Sequence, residues 1–429
     1  MNVLVIGAYG LIGSAVVKQF RDAGHKVTCF GRSPMRADEA HPNLEWRFGD
    51  LAHLTTPDQW NHLLQDIDVV INASGVLQDG WGDKVEQVQA SAISALAAAC
   101  ADLPVKRIIQ ISAPGAMQTS STAFYRTKAQ ADGRVAECAT PSTILRPGLV
   151  VGAQSYGGGR LLRMLAAFPM VQPVAYPETR IQTVALDEVA AATLIAAEEA
   201  IDGDFDLVEN HPHTLSAIIE QFRHWLGVPA SIVTIRTPNL LTSAVTFLAD
   251  VLGWLGWRSP LRRDAMAVLR DGVVGDSAPW NNASGQRLSS LQQTLERMPA
   301  TFQERMAARA TLVFPALIAI LAVFWIASGF IGAWQYDRAA AVLPDSLSPA
   351  VKSLAVYGGA CADVLIGLMM VFRPALKIAL IGSLIVSASY LIGGAILAPA
   401  LWSDPLGPMV KIFPAMGLSL AALALFGNR

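Results

Sequence analysis

Three glycines near the start of the chain have the spacing of a phosphate-binding turn. The apolar run Val3–Ile6 predicts a buried parallel strand, and Gly7, Gly10 and Gly13 follow it directly, before a helical pattern over Ser14–Ala23. Gly7 permits a tight exit from the strand, Gly10 lets backbone N–H groups approach a pyrophosphate, and Gly13 lets the helix pack closely on the sheet. The free N–H groups at the helix start would then bind a dinucleotide. The predicted turn consists of Gly7, Ala8, Tyr9, Gly10, Leu11, Ile12 and Gly13.

The end of the next strand bears on which dinucleotide is bound. The strand predicted over Val27–Phe30 ends at Gly31-Arg32, without an acidic residue. An acid at this point would bind the ribose hydroxyls of NAD(H), whereas an arginine suits a 2′-phosphate. Arg32 therefore favours NADP(H) over NAD(H). The alternative is that Arg32 is a solvated loop charge.

Two further strand ends carry candidate cofactor contacts. Asp50 and Leu51 follow a strand predicted over Leu44–Phe48, and Ala73, Ser74 and Gly75 follow a strand predicted over Asp68–Asn72. Asp50 could accept hydrogen bonds from an adenine amino group or could cap the next helix. The small residues at 73–75 would let a ligand lie against the backbone. Because strands alternate with helical patterns, the sequence predicts a Rossmann-like, doubly wound parallel sheet.

These motifs, in this order, resemble those of extended or atypical short-chain dehydrogenases/reductases. The resemblance covers roughly residues 1–225 and is closest to the branch with the 39 kDa-type subunits of NADH-ubiquinone oxidoreductase. The residues that carry it are the glycine turn, Gly49-Asp50-Leu51, Asn72-Ala73-Ser74-Gly75, Ser112, Tyr125, Lys128 and Leu145-Arg146-Pro147-Gly148.

The resemblance implies roles for particular side chains. Ser112 would orient the substrate, Tyr125 would transfer the proton, and Lys128 would hold the nicotinamide ribose and lower the tyrosine pKa. Pro147 would lie in the turn beside the nicotinamide. In the family the tyrosine stands four residues before the lysine, but that position holds Phe124 here and Tyr125 is only three before Lys128. Tyr125 is therefore either an acid that acts from a rotated position or a packed tyrosine.

The composition predicts a membrane-embedded portion. The chain has 429 residues, 52% of them hydrophobic and 15% charged, with a net charge of −2 that gives no reason to expect a nucleic-acid partner. Residues 311–429 contain only 10 charged side chains. Four segments there are long and apolar enough to span a bilayer, and they resemble the four-helix DoxX-like membrane family. They are roughly Thr311–Trp334, Val351–Phe372, Ala375–Ala398 and Met409–Phe426.

The charge pattern also predicts an orientation. Arg305 and Arg309 precede the first span, and Arg373 and Lys377 lie between the second and third, so all four fall on one side. Positive residues favour the cytoplasmic side. We therefore expect a multi-pass protein of the inner or cytoplasmic membrane with a cytosolic N-terminal domain.

The sequence predicts three domains: 1–230, which binds NAD(P), a linker over 231–310, and 311–429 in the membrane. Within the linker, Asn239–Trp257 predicts a helix at the membrane interface, with a span or a buried helix as alternatives. Leu288–Arg309 predicts an amphipathic helix that leads to the bilayer.

Three smaller features remain open from the sequence. The glycine run Gly157–Gly159 predicts a loop, either a substrate lid or a connection. Asp363, inside a predicted span, could relay protons, bind a quinone-like ligand or form an interhelical hydrogen bond. His211 and His213 have no third ligand at metal spacing, so we predict no metal site.

The combination predicts a membrane-anchored, NAD(P)(H)-binding oxidoreductase. Its substrate would be a lipophilic carbonyl or quinone-like molecule delivered from the bilayer. The alternative is a non-catalytic NADPH-binding module that regulates or assembles a membrane bundle. A homo-oligomer or a membrane complex is compatible with either function.

Overall fold

The computed structural model describes residues 1–80, 84–154, 156–257 and 259–427. The chain divides into two compact units. The first comprises Met1–Asp250 and Ser259–Arg305, and the second comprises Val251–Arg258 and Met306–Arg429.

The first unit contains the strands and most of the shorter helices. Its strands are β1 (Asn2–Ile6), β2 (Lys26–Gly31), β3 (Glu45–Phe48), β4 (Val69–Asn72), β5 (Arg107–Ile111), β6 (Ser142–Pro147), β7 (Leu149–Val151), β8 (Val171–Val174), β9 (Arg180–Ile181), β10 (Thr183–Ala185), β11 (Gly203–Leu207), β12 (His213–Thr214) and β13 (Val233–Arg236). The helices that begin before residue 300 are α1 (Leu11–Asp22), α2 (Pro34–Ala40), α3 (Ala92–Asp102), α4 (Ala123–Glu137), α5 (Gly157–Ala166), α6 (Leu186–Glu198), α7 (Leu215–Trp225), α8 (Asn239–Trp254), α9 (Arg263–Asp271), α10 (Ala278–Ser284) and α11 (Leu291–Arg297).

The predicted doubly wound sheet is confirmed. Its strand order is β11-β6-β5-β4-β1-β2-β3, and every neighbouring pair is parallel. The order reverses between β1 and β4, which leaves a crevice at the carboxyl ends of these two strands. In open α/β sheets this switch point is where dinucleotides bind.

The central strand β1 shows why the sheet is buried on both faces. Val3 and Val5 belong to one hydrophobic cluster, with Val16 and Phe20 of α1. Leu4 and Ile6 belong to a second cluster, with Ile93 and Leu96 of α3. Successive side chains of a strand point to opposite faces, so a continuous aliphatic run fills both layers.

Two predictions in this unit are wrong in detail. Gly157–Gly159 does not form a loop, because these glycines make the first turn of α5. Leu288–Arg309 is not one helix, since α11 ends at Arg297 and the next helix begins at Phe302.

The segment that includes α10 and α11 packs on the first unit. Trp280 is fully buried. Arg297 forms a 3.0 Å ion pair with Glu188, and the backbone N–H of Leu291 donates to the buried carboxylate of Glu209 at 2.9 Å. These contacts make the segment part of this unit's core.

The second unit is helical. Its helices are α12 (Phe302–Trp334, begun in the first unit), α13 (Tyr336–Ala341), α14 (Pro349–Val371), α15 (Leu376–Leu397) and α16 (Ile412–Leu425). Among the described residues, three apolar segments are long enough to span a membrane: Phe302–Trp334, Pro349–Val371 and Arg373–Leu397. The fourth predicted span is shorter than expected, because α16 has 14 residues and rises only about 21 Å against a hydrocarbon layer of about 30 Å.

Small residues allow the apolar helices to approach closely. A Cβ on Gly367 would lie 2.9 Å from the carbonyl oxygen of Ala322 on α12. One turn earlier on α14, the carboxylate of Asp363 accepts hydrogen bonds from Ser328 at 2.8 Å and Tyr390 at 2.6 Å. Asp363 therefore joins three helices, as the interhelical hydrogen-bond alternative predicts.

Candidate functional site

The glycine turn between β1 and α1 is closely packed. Gly7 has φ = +78°, a conformation that glycine adopts without steric cost. Its carbonyl oxygen accepts from the backbone N–H of Gly10 at 2.8 Å. A Cβ on Gly13 would collide with the Gly7 carbonyl group, and a Cβ on Gly7 would lie 3.1 Å from the backbone of Ala73. The turn therefore brings the start of α1 against the carboxyl end of β4.

The other residues of the turn differ in their environment. Ala8 is fully buried, while Leu11 and Ile12 are partly buried in the first turn of α1. The hydroxyl of Tyr9 accepts from the backbone N–H of Arg32 at 3.1 Å, and its ring stacks on Trp46. Tyr9 thus lies across the carboxyl end of β2.

The end of β2 is basic. Arg32 is exposed there, and Ser33 caps α2 by accepting from the backbone N–H of Arg36. The guanidinium of Arg36 lies 6.0 Å from the centre of the Tyr9 ring. Two arginines and a helix N-terminus therefore surround the position where a dinucleotide of this fold carries its adenosine ribose.

The next two strand ends hold polar side chains in fixed positions. Asp50 accepts from the backbone N–H of Ala52 at 3.0 Å, so it caps the turn that begins at Leu51. The amide oxygen of Asn72 accepts from both the backbone N–H and the hydroxyl of Ser74, at 3.1 and 2.6 Å. This pair holds the backbone at 73–75 in an extended turn over the switch point.

Lys128 on α4 extends to the same turn. Its Nζ donates to the carbonyl oxygens of Ile111 at 2.7 Å and Ser74 at 3.2 Å. Burial lowers the pKa of Lys128 from 10.5 to about 8, while the charge of Asp132 opposes the shift. The lysine therefore joins the carboxyl ends of β4 and β5 beside the predicted nucleotide site.

A buried acid one helical turn beyond Lys128 was not predicted. Asp132 accepts a 2.6 Å hydrogen bond from the hydroxyl of Ser112, and Arg146 lies 3.6 Å from the same oxygen. Burial raises the pKa of the Asp132 carboxyl, and the Ser112 hydrogen bond and the two nearby cations oppose this. The four-residue spacing between Lys128 and Asp132 was the available signal, because such residues share a helix face.

Tyr125 lies on the same helix as Lys128 but packs among apolar side chains. Its side chain is buried and its ring packs on Phe124. Burial, with a smaller effect from the charge of Asp271, raises the pKa of Tyr125 to about 12. Within the described part of the chain, the Tyr125 hydroxyl forms no hydrogen bond with Lys128 or Ser112. These surroundings are those of a packed side chain.

The residues at the switch point fit a nicotinamide dinucleotide. A Cβ on Gly75 would lie 3.7 Å from both Lys128 Nζ and the side-chain oxygen of Gln89. That oxygen is buried and has no hydrogen-bond partner among the described residues, while the Gln89 amide nitrogen donates to the carbonyl oxygen of Val76 at 2.7 Å. A lysine donor and an unpaired acceptor therefore face a position without a side chain, which suits the donors and acceptors of a ribose. Pro147, the last residue of β6, is buried at the same edge of the sheet.

Sequence comparisons support both units of this architecture. Residues 7–163 match the profile of an NAD(P)H-binding family, and residues 322–420 match that of the DoxX-like family. The chain therefore joins a region similar to NAD(P)H-binding domains to a region similar to DoxX-like domains, which carries apolar helices of spanning length. This fusion is the one expected from the sequence.

Curated relatives match between about half and about seven-tenths of the chain. An epimerase family protein of Mycobacterium bovis is 28% identical over 253 residues, which are 54% of this chain and 81% of that protein. Subunit 9 of the mitochondrial NADH dehydrogenase [ubiquinone] 1 alpha subcomplex of Arabidopsis thaliana is 25% identical over 203 residues, 46% of this chain and 50% of that subunit. Sterol demethylase protein B of Methylococcus capsulatus is 23% identical over 332 residues, 71% of this chain and 99% of that protein.

Solved structures share the fold of this domain. A short-chain dehydrogenase/reductase superfamily protein from Agrobacterium tumefaciens, with bound NAD, has a TM-score of 0.53 at 16% identity and covers 73% of this chain and 98% of its own. A UDP-glucose 4-epimerase from Thermotoga maritima has a TM-score of 0.51 at 16% identity, with 69% and 98% covered.

Proposed function

We propose that the NAD(P)H-binding domain is a reductase that uses NADP(H) and acts on a lipophilic carbonyl compound, a quinone or a ketone, drawn from the membrane. The observation that carries the proposal is that Lys128 and the buried side-chain oxygen of Gln89, which has no partner among the described residues, both face the backbone of Gly75. The same chain carries apolar helices of spanning length. When bound, the coenzyme supplies the hydride.

The protein's own groups would bind and orient the coenzyme. The backbone N–H groups at 8–13 would hold its pyrophosphate, since they lie at the N-terminus of α1. Arg32 would pair with a 2′-phosphate, and Lys128 with the unpaired oxygen of Gln89 would hold the nicotinamide ribose. Ser112 is held by Asp132, so it would present a fixed oxygen toward the substrate rather than a mobile hydroxyl.

The proton source follows from the surroundings of Tyr125. Reduction of a carbonyl or quinone to its alcohol or hydroquinone consumes one hydride and one proton. Within the described residues the Tyr125 hydroxyl forms no hydrogen bond to Lys128 or Ser112, so it is poorly positioned to give this proton. Water is the proton donor we propose, and the requirement is smallest for a quinone, whose reduced anion is stable enough to be protonated after hydride transfer.

The lipophilic substrate is inferred from two kinds of observation. The DoxX-like region, with its apolar helices of spanning length, would anchor the chain in the lipid that dissolves such a compound. Two relatives have names that refer to ubiquinone and to sterol, and both molecules are lipophilic.

The test is NADPH oxidation by the full chain in proteoliposomes. We expect absorbance at the nicotinamide wavelength to fall when the bilayer contains a long-chain ubiquinone or a sterol ketone, and to fall more slowly with NADH. Tight NADPH binding without turnover on a panel of lipophilic acceptors would contradict the reductase function.

That contradicting result would support a second function, a non-catalytic NADPH-binding module that regulates or assembles the membrane bundle. The burial of Tyr125 favours this alternative. This function predicts that added NADPH changes the thermal stability of the protein or its assembly with partners, while the nicotinamide absorbance stays constant because no NADPH is oxidised.

A further inference from the structure

Helix α8 has its polar and apolar faces reversed relative to a helix on a water-soluble surface. Thr242, Thr246 and Ala249 are buried, with exposed fractions of 6–8%. The large apolar side chains point outward, with Leu240 84% and Phe247 63% exposed. Both threonine hydroxyls are satisfied within the segment, Thr242 by the Pro238 carbonyl and Thr246 by that of Ser243. In water such a helix would bury its apolar face instead.

The exposed face extends along the whole length of α8. Its outward apolar side chains recur at helical spacing, and each is at least 38% exposed: Leu240, Leu241, Val245, Phe247, Leu248, Val251 and Trp254. Soluble proteins rarely expose a continuous apolar surface of this length unless it contacts a partner or a membrane.

A strand pair directly before α8 adds to this exposed apolar surface. β13 pairs with β8 in parallel register, Val233 opposite Val171. Ile232 is 80% exposed and Met170 64% exposed, and a backbone hydrogen bond of 2.7 Å joins them. Only two residues separate β13 from α8. We call the exposed apolar side chains of β8, β13 and α8, with Met170 and Ile232, the apolar collar.

The carboxyl end of α8 continues to the ends of the apolar helices of the second unit. The carbonyl oxygen of Leu255 accepts from the backbone N–H of Arg373 at 3.0 Å. The indole N–H of Trp257 donates to Val371, the last residue of α14, at 2.7 Å, and its ring packs on Phe314 of α12. The chain therefore leaves α8 at the level where the spans end, which is the surface of the bilayer.

We propose that the apolar collar lies in the surface layer of the lipid bilayer. A helix of 16 residues is too short to span, and its reversed faces suit the boundary between headgroups and acyl chains. The chain runs directly from α8 into Leu255 and Trp257, which contact the ends of the apolar helices in the second unit. This continuity of the chain favours the bilayer, rather than a second copy of the chain, as the occupant.

A lipophilic substrate would pass from the collar to the candidate site along α9, and this entry route rests on the proposed function. Asp250 of α8 pairs with Arg262 at 3.4 Å, and Arg262 donates to the carbonyl oxygen of Asp79, in the loop after β4, at 2.8 Å. At the other end of α9, Asp271 accepts from Ser121, just before α4, at 3.1 Å. Helix α9 therefore joins the collar to the two loops beside the site.

The first test is the depth of the collar in the bilayer, measured on the full chain in lipid nanodiscs. Nitroxide labels would be placed singly at Leu240→Cys, Phe247→Cys and Ile232→Cys, with Cys138 and Cys361 replaced by alanine. Val323→Cys, exposed on the first span, is the lipid control, and Lys18→Cys, exposed on α1, is the water control.

We expect the collar labels to collide with oxygen as often as the Val323 label and to be shielded from a water-soluble nickel chelate. Collisions like those at Lys18 would overturn the proposal. Shielding from both reagents would also overturn it, because a second protein copy would then cover the collar.

The second test separates the collar from the reductase function. The double variant Leu240→Glu/Phe247→Glu should turn over a long-chain quinone in the bilayer with a raised KM, and a short-chain, water-soluble quinone with unchanged kinetics. Val274→Glu, at a 51% exposed apolar residue after α9, is the control. Equal kinetics with the long-chain quinone would refute the entry route. If the wild type oxidises no NADPH at all, the proposed function fails, while the label depths still decide the position of the collar.

Discussion

The hydroxyl of Ser112 donates a 2.6 Å hydrogen bond to the buried carboxylate of Asp132, one helical turn beyond Lys128. The serine at the end of β5 is thereby fixed by an acid on α4, and the same acid lies beside the cation of Arg146. The hydroxyl of Ser112 and the charges of Lys128 and Arg146 therefore all interact with one carboxylate.

The charge of Asp132 should set the proton affinity of Lys128. Asp132→Asn removes the charge that raises the lysine pKa, so that pKa should fall below about 8. A protonated amine forms the stronger hydrogen bond to a ribose hydroxyl. NADPH affinity should therefore fall at alkaline pH, as Lys128 loses its proton. In Asp132→Asn we expect this fall to occur at lower pH than in the wild type, as measured by fluorescence titration.

Asp204→Asn is the matched control for this variant. Asp204 also pairs with Arg146, at 2.8 Å, but its side chain is 47% exposed. Its replacement should not change the pH at which NADPH affinity falls. If Asp132→Asn does not change that pH either, the charge of Asp132 does not set the pKa of Lys128.

Lys128 should make stability depend on pH in the alkaline range. Its folded-state pKa of about 8 lies below the ordinary 10.5, so the unfolded chain binds more protons between these values and stability rises as pH increases through this window. The full difference corresponds to about 3 kcal/mol. Thermal unfolding without coenzyme should show the rise in the wild type, whereas Lys128→Met should show none. Parallel curves for the two proteins would be inconsistent with a buried, protonated lysine.

The glycine turn should tolerate no side chain at position 13. Gly13→Ala places a Cβ against the Gly7 carbonyl group, so it should lower the unfolding temperature and weaken NADPH binding at least about tenfold, or about 1.4 kcal/mol. Gly133→Ala on α4 is the control, because a Cβ there meets nothing within 4 Å and alanine should stabilise the helix by up to about 1 kcal/mol. Equal NADPH affinity in both variants would refute the turn as the pyrophosphate site.

The central strands of the sheet were predictable because they are short aliphatic runs bounded by turn residues. Val3–Ile6 fills both faces of the sheet at once, and the glycine turn that follows it limits the run to the length of a strand. The length of α16 was not predictable from hydropathy. The apolar stretch at 409–426 includes residues that turn before Ile412, and hydropathy does not record where a helix begins.

The part of the candidate site most directly predictable is the glycine turn, where the backbone itself would bind the ligand. The glycine turn depends on local φ values and close approach, which the residue types determine. The partners of Ser112 and Lys128 come from distant segments, and Asp132, Gln89 and Arg146 become neighbours only in the folded sheet. The surroundings of Tyr125 depend on Asp271, which lies more than a hundred residues away in the sequence.

The coenzyme preference should depend on Arg32. Arg32→Ala should raise the Kd for NADPH about tenfold, because a charge-assisted contact with a phosphate contributes about 1.5–3 kcal/mol. The Kd for NADH, which has no 2′-phosphate, should change little in the same variant and serves as the control. Isothermal titration of both coenzymes measures the ratio. If both affinities fall equally, Arg32 does not recognise the 2′-phosphate, and Arg36→Ala becomes the next variant to compare.

Tyr125 should be dispensable for turnover. Its hydroxyl forms no hydrogen bond to Lys128 or Ser112 within the described residues, and Lys128 donates to backbone carbonyls rather than to the tyrosine. Removal of a working general acid costs about 10²–10⁴ in rate, whereas Tyr125→Phe removes only a hydroxyl and keeps the ring that packs on Phe124. We therefore expect kcat within a factor of about three of the wild type with a quinone acceptor. Lys128→Met, assayed alongside, should lose turnover and so shows that the assay responds to the site. A hundredfold loss in Tyr125→Phe, with unchanged NADPH affinity, would instead make Tyr125 the proton donor and require the side chain to rotate toward the substrate on binding.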